Sequence, residues 1–132
     1  MSEKFKPNHL HFICKGYCTN PPKSVEELNS WLSRLVERVR MKVVAGPTSV
    51  YVSEPGNEGV TGTVTLATSH GSIHVWDNDE PPMFQFDIYS CTEFSPSEVI
   101  EHLKEFGLIR LEFMTLDRNE GIIVTEKRKM VF

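Results

Sequence analysis

The strongest constraint on the fold is the segment Val60–Ala67, in which side chains alternate in polarity one residue at a time. One set is apolar or glycine: Val60, Gly62, Val64 and Leu66. The other set is Thr61, Thr63, Thr65 and Ala67. Successive side chains of a strand point to opposite faces, so this period of two predicts a half-buried β-strand. The segment Phe84–Tyr89 alternates in the same way, and if that strand is regular to its end, Cys91 shares a face with Asp87 and Tyr89.

Two segments carry signals for the start of a helix. Ser24 is followed three residues later by Glu27, and Ser95 by Glu98, which is the spacing of a capping box. Pro96 suits the first helical position. The first helix is predicted to run to about residue 40, and the second to stop at a glycine. Each has an apolar face at helical spacing, formed by Leu28, Trp31, Leu32, Leu35, Val36 and Val39 in the first and by Val99, Ile100, Leu103 and Phe106 in the second.

Short strands are predicted in six further places, separated by turns. They are His9–Cys14, Met41–Ala45, Ser49–Ser53, Ile73–Val75, Leu108–Met114 and Gly121–Thr125, with turns at Ser69–Gly71 and at the acidic run Asp77–Pro82. The basic residues Lys127–Lys129 are interpreted as a solvated tail. The order of elements indicates the α+β class: a two-layer sandwich in which a mostly antiparallel sheet has two helices packed on one face. At 132 residues the chain is predicted to form one domain.

The charge and composition exclude several kinds of partner. A net charge of −4 argues against a duplex nucleic-acid binder, which needs a basic face. No stretch reaches the length of a membrane span, and the polar N-terminus lacks the apolar run of a signal peptide. The three cysteines are an odd number, which favours a reduced protein. We therefore expect a cytoplasmic protein with no nucleic-acid and no membrane partner.

The side chains best suited to catalysis are those of Ser69, His74 and Cys91. They offer a nucleophile, an acid/base group and a proton donor, respectively. Each also has an ordinary explanation, as a turn serine, a structural histidine on a strand and a small buried cysteine. Only their combination makes them a candidate catalytic site.

The histidine and cysteine spacings do not indicate a metal centre. His70 and His74 have the spacing H-x-x-x-H, which binds zinc when it lies on a helix. This segment alternates like a strand, where positions four apart are about 13 Å from each other, too far for one ion. Cys14 and Cys18 lack the spacing of a zinc knuckle, and no second ligand pair follows. The sequence therefore predicts no metal site.

The segment Gly59–Trp76 resembles the core of the short, prokaryotic-type S-adenosylmethionine decarboxylases. That family has a glycine-bracketed hydroxyl residue before an apolar strand, then Ser-His, two residues, Ile-His and an aromatic residue, as in Ser69–Trp76. A strand ending in Asp-apolar-aromatic-small-Cys follows in the family, as in Asp87–Cys91. The His9-Leu10 pair, the two helices and the length also fit. By this resemblance residues 1–132 form a single S-adenosylmethionine decarboxylase-like domain.

The resemblance implies that the chain cleaves itself between residues 68 and 69. In the family the serine attacks the carbonyl before it in an N-to-O acyl shift, and β-elimination and hydrolysis then leave a pyruvoyl group. By resemblance Ser69 is the precursor of this cofactor, and Thr68 supplies the attacked carbonyl. His74 is by resemblance the proton acceptor, and Thr61 supplies a hydroxyl that assists it.

The resemblance also implies a substrate and a partner. In the family the pyruvoyl group is an electron sink, joined to the substrate amine as a Schiff base while carbon dioxide leaves. Cys91 then protonates the resulting carbanion. The implied substrate is S-adenosylmethionine, and its decarboxylated product serves spermidine synthesis. The implied partner is a second copy of the chain, in a homodimer with its sites near the subunit contact.

Thr68 departs from the family, in which glutamate normally precedes the cleaved serine. The preceding residue contributes only its carbonyl to the acyl shift, so the chemistry does not require glutamate. The departure motivates a second hypothesis, an unprocessed and non-catalytic homologue that acts as a binding or regulatory protein. A third hypothesis keeps the pyruvoyl group and changes the substrate to another amino acid, such as arginine or ornithine.

Overall fold

The computed structural model describes residues 8–132. Seven strands and two α-helices follow one another in this part of the chain, and a short 3₁₀ turn, Lys104–Phe106, extends the second helix. They are β1 (Leu10–Cys18), α1 (Val25–Arg38), β2 (Val43–Val52), β3 (Gly59–Leu66), β4 (Ser69–Trp76), β5 (Met83–Ser90), α2 (Pro96–Leu103), β6 (Leu108–Asp117) and β7 (Ile123–Val131). No helix among the described residues is long and apolar enough to cross a membrane.

The strands form one sheet in the order β2-β3-β4-β5-β1-β6-β7, and every neighbouring pair is antiparallel. β1 lies between β5 and β6, so the start of the described chain is at the middle of the sheet. Both helices pack on one face, where Trp31 of α1 contacts Phe86 of β5. The predicted two-layer α+β sandwich is confirmed.

The alternation along the strands divides the sheet into a core face and an exposed face. On the helix side, β3, β4 and β5 contribute side chains that are almost fully buried: Val60, Val64, Leu66, Ile73, Val75, Phe84, Phe86 and Ile88. The opposite side faces away from the helices, and we call it the open face. Its central residues are His11, Thr61, His70, Ser72, His74, Asp87 and Tyr89. The predicted alternation of β3 is confirmed. The same alternation in β1, β4 and β5 makes the open face a polar surface that carries these histidines.

The helix starts follow the capping signals, with one difference. At α2 the capping box is complete, because the Ser95 backbone N–H donates to the Glu98 carboxylate at 3.0 Å and the Ser95 hydroxyl caps the first turn. At α1 the Ser24 hydroxyl accepts from the Glu27 N–H, but the Glu27 carboxylate accepts from the backbone of Lys23 instead of Ser24. The predicted box at α1 is therefore only half formed, since the carboxylate reaches one residue further back.

His102 is buried and links the two helices through hydrogen bonds with Trp31. Its Nε2 lies 2.9 Å from the Trp31 carbonyl, and the Trp31 indole N–H donates to the His102 carbonyl at 3.3 Å. Burial lowers the pKa of His102, because the charged imidazolium is poorly solvated there. His102 thus helps to hold α2 against α1, on the side of the sheet opposite the open face.

Two predictions about the strands need correction. The segments Met41–Ala45 and Ser49–Ser53 are predicted to be separate strands, but β2 is a single strand whose register shifts twice near Gly46 and Pro47. Gly46 has a φ of 88° and Pro47 has no N–H, so pairing with β3 is interrupted and then resumes. The basic residues Lys127–Lys129 are not a tail, because they lie within β7.

Candidate active site

The hairpin between β3 and β4 positions the predicted cleavage point. Leu66 pairs with Ser69, which leaves a two-residue connection of Ala67 and Thr68. The predicted turn at residues 69–71 is therefore wrong, because Ser69 is already the first residue of β4 and Gly71 lies inside that strand. Thr68 has a φ of 56°, a left-handed conformation that is a strained outlier for a β-branched residue. The strained residue thus directly precedes Ser69.

Ser69 is buried and its hydroxyl is held in one place. Ser69 Oγ accepts the backbone N–H of Cys91 at 3.0 Å. It also contacts the Cys91 sulfur at 3.7 Å. Only 9% of Ser69 is exposed, so the hydroxyl is largely shielded from bulk water.

Cys91 turns towards the hairpin instead of continuing β5. The strand ends at Ser90, so the condition under which Cys91 would share a face with Asp87 and Tyr89, a strand that stays regular through residue 91, is not met. Its thiol contacts the Thr68 hydroxyl and the Ser69 hydroxyl. The structure therefore brings the Thr68–Ser69 peptide bond and one thiol into a single cluster at the end of the sheet.

The other two cysteines lie in the hydrophobic core. Cys14 and Cys18 are buried on the helix side of β1. Burial raises the pKa of the Cys14 thiol far above its ordinary value, and that of Cys18 to about 11. Neither thiol ionises near neutral pH, which agrees with their interpretation as small apolar side chains.

Thr61 and His74 form a second pair, on the open face. They are directly opposite each other on β3 and β4, and Thr61 Oγ1 lies 3.1 Å from His74 Nδ1. His74 is exposed. A hydroxyl at this distance fixes the orientation of the imidazole. The family resemblance implies that these two residues act together in self-cleavage.

The structure does not bring the two pairs together within one chain. Ser69 and His74 are five residues apart on β4, which corresponds to about 17 Å at the rise of a strand. An odd spacing also directs the two side chains to opposite faces of the sheet. Direct proton transfer needs heavy atoms within about 3 Å, so His74 does not accept a proton from Ser69 of its own chain in this arrangement.

Sequence reasoning missed a polar cluster on the open face. His11, His70 and Asp87 come from β1, β4 and β5, and their ligand atoms all lie within 4.8 Å of one another. In the sequence, His70 has a nearby histidine only in His74, four residues further along the chain. The pairing of β1 with β5 joins positions about 76 residues apart, and no local pattern in the sequence reveals it.

Comparison with known proteins gives a family and a set of relatives. The family model described as S-adenosylmethionine decarboxylase matches residues 10–119. Two S-adenosylmethionine decarboxylase proenzymes, from two type A strains of Clostridium botulinum, are each 26% identical over 103 residues, which covers 77% of this chain and 84% of the relative.

One solved structure aligns with the whole length of the chain. A phage SAM lyase in complex with S-methyl-5′-thioadenosine aligns over 100% of this chain and 96% of its own, with 9% identity and a TM-score of 0.46. At that level of similarity, nothing about the ligand of this chain follows from it.

Proposed function

The chain belongs to the S-adenosylmethionine decarboxylase family, and from that premise we propose that it is a self-processing enzyme of the cytoplasm. The proposed reaction converts S-adenosylmethionine to its decarboxylated form, which is the aminopropyl donor for spermidine synthesis. The Clostridium botulinum relatives are named as proenzymes, which supports a precursor that is cut after synthesis. The three free thiols are consistent with a reducing compartment.

The observation that carries this proposal is the cluster of Thr68, Ser69 and Cys91. A buried hydroxyl follows directly after a strained residue, and a thiol lies beside both. Strain at Thr68 raises the energy of the uncut chain, and cleavage of the next peptide bond releases it. The Cys91 N–H fixes Ser69 Oγ next to the bond that would be cut. These residues are the chain's own source for a pyruvoyl group, and their arrangement fits its formation.

Self-processing begins with Ser69. Its Oγ attacks the carbonyl carbon of Thr68, the Thr68–Ser69 C–N bond breaks, and the acyl group moves from nitrogen to oxygen as an ester. A base then removes the α-proton of residue 69, and the Cβ–Oγ bond breaks, which leaves Thr68 with a free carboxylate. The remaining dehydroalanine takes up water and loses ammonia. The products are a 68-residue fragment and a 64-residue fragment that begins with the pyruvoyl group.

The thiol of Cys91 supplies a proton in the proposed decarboxylation. A pyruvoyl group at residue 69 would supply an electron sink for the pair that stays on the substrate carbon when carbon dioxide leaves. The Cys91 sulfur lies 3.7 Å from Oγ of Ser69, the residue from which the pyruvoyl group would form. It is therefore positioned to protonate the carbon that loses its carboxylate. Burial of Ser69 and Cys91 keeps bulk water away from that carbon.

The separation of Ser69 from His74 supports a homodimer in which the site is shared. The two side chains of one chain are about 17 Å apart, but His74 is exposed on the open face, where a second copy can reach it. In a two-fold dimer each contact occurs twice. The Ser69 hydroxyl of each chain can therefore meet the His74 imidazole of the other chain. We assign the proton acceptor for Ser69 to His74 of the partner subunit. This assignment requires that the Ser69 hydroxyl, which is buried in the single chain, becomes accessible at the subunit contact.

A mixing experiment tests this shared site. Ser69→Ala and His74→Ala chains are each expected to stay uncut when expressed alone. When they are co-expressed in equal amounts with different tags, a mixed dimer contains one complete site, so about half of the His74→Ala chains should be cleaved. The fraction is measured by denaturing mass spectrometry. An absence of cleavage in mixed dimers, or normal cleavage of His74→Ala alone, would contradict the assignment.

The proposed function itself is tested on the purified wild-type protein. The intact mass under denaturing conditions should show fragments of 68 and 64 residues, with the second blocked to N-terminal sequencing because it has no free amine. Release of labelled carbon dioxide should then be found with carboxyl-labelled S-adenosylmethionine, and not with arginine or ornithine. A single species near 15.1 kDa that persists on incubation would favour the unprocessed binding or regulatory homologue. Cleavage with release from arginine or ornithine would favour the third hypothesis.

A further inference from the structure

The three-residue cluster on the open face is not used by the proposed decarboxylation. His11 Nε2 lies 2.9 Å from Asp87 Oδ2, and His70 Nε2 lies 3.5 Å from the same oxygen. We propose that His11, His70 and Asp87 form a three-ligand site for a divalent transition-metal ion such as Zn²⁺, Co²⁺ or Fe²⁺. In the single chain the site has further coordination positions open to solvent.

The sheet brings these ligands together and keeps them in register. β5 lies between β4 and β1, and Tyr89 of β5 is directly opposite both His70 and His11. Asp87 is two residues along the same face of β5, so its carboxylate is diagonal to both imidazoles. Each ligand is therefore carried by a strand that pairs with the next, and the positions of the ligands are set by backbone hydrogen bonds.

The distances are close to those that a bound ion requires. Tetrahedral ligands bound at about 2.0–2.1 Å from a metal lie about 3.3 Å from each other. The distances from Asp87 Oδ2 to the two imidazole nitrogens, 2.9 and 3.5 Å, fall on either side of this value. The three ligand atoms all lie within 4.8 Å of one another, so the side chains of His11 and His70 must rotate for all three to converge on one ion.

The ligand types select the class of ion. Two imidazoles and one carboxylate suit Zn²⁺ and Fe²⁺ or Co²⁺, whereas Mg²⁺ and Ca²⁺ prefer sites made of oxygen alone. The three side chains are between one-fifth and one-half exposed: His11 is 18%, Asp87 32% and His70 51% exposed. Three protein ligands with one side open to solvent are typical of metal sites that bind water or a further ligand, not of closed structural sites.

Cobalt binding tests the proposal. Metal-free Ser69→Ala protein without a histidine tag is titrated with Co²⁺, followed by visible absorption and by calorimetry. The Ser69→Ala background keeps the chain uncut, so the result is independent of self-processing and decarboxylation. We expect one Co²⁺ per chain and a visible d–d spectrum. His70→Ala and Asp87→Asn should each weaken binding by at least about 100-fold, since loss of even an outer-shell partner costs about 10–100-fold.

The matched control is His74→Ala, which removes an imidazole from the same face of the same strand. It should bind Co²⁺ as the background protein does. Asp87→Asn keeps the shape of the side chain, and circular dichroism shows whether each variant is folded. Absence of saturable binding, unchanged binding by both cluster variants, or equal loss in His74→Ala would overturn the proposal. A sulfur-to-metal charge-transfer band would assign the ion to a cysteine and would overturn it as well.

Discussion

Ser69→Ala is expected to remain a single chain of about 15.1 kDa and to release no carbon dioxide from S-adenosylmethionine. The variant lacks the oxygen that attacks the Thr68 carbonyl, so the N-to-O acyl shift has no nucleophile. Without the ester there is also no leaving group on Cβ of residue 69, so β-elimination cannot take place and no pyruvoyl group forms. Because both steps depend on the same oxygen, the expected loss of activity is complete, not partial. Denaturing mass spectrometry and a carbon dioxide release assay measure the two effects on one sample.

The variant needs a folding control, because Ser69 Oγ accepts the N–H of Cys91. Loss of a buried hydrogen-bond partner costs about 1–3 kcal/mol, so a thermal melt is recorded beside the assay. Ser72→Ala changes another serine of β4, on the open face, and should still be cleaved. A folded Ser69→Ala protein that turns over substrate at the wild-type rate would exclude the proposed function.

Cys91→Ala is expected to separate processing from decarboxylation. The nucleophile and the strained residue before it are unchanged, so the chain should still be cut into two fragments. Decarboxylation should fall by about 10²–10⁴-fold, which is the usual contribution of a positioned general acid. The comparison uses single-turnover assays on protein whose cleavage has been verified by mass.

The matched control for this variant is Cys18→Ala. Cys18 is also a buried cysteine, but it lies in the core at the far end of β1, away from the Ser69 cluster. It should lose some stability through the small cavity and keep its activity. Equal losses in the two variants would indicate a general packing effect. Unchanged turnover in Cys91→Ala would show that another group supplies the proton.

Much of the fold was predictable because its signals are local. The alternation of β3 and the Ser95 capping box each depend on a few neighbouring residues, and both are present in the structure. The limits of β2 and β4 were not predictable in the same way. Gly46 and Pro47 predict the end of a strand, although pairing with β3 resumes after them. Gly71 predicts a turn, although Thr68 adopts the left-handed conformation instead.

In the candidate site, too, some features could be predicted from local sequence and others depend on how the strands pair. The contact of Ser69 with Cys91 and of Thr61 with His74 agrees with residues that the sequence singled out. Their arrangement as two separate pairs depends on which face each strand position occupies and on where β5 ends. The cluster of His11 with Asp87 depends on the pairing of β1 with β5, which no short-range pattern encodes. Roles read from a linear motif therefore do not establish proximity.

The two outer strands also influence how copies of the chain can meet. β2 and β7 leave one side of their backbones unpaired, and both expose apolar side chains, such as Val44 and Ile123. Such edges are templates for aggregation, but β7 carries three consecutive cationic residues and β2 contains a proline with two register shifts. These features oppose the extension of the sheet from molecule to molecule. In the proposed homodimer, these guarded edges leave the open face as the surface on which the second copy would pack.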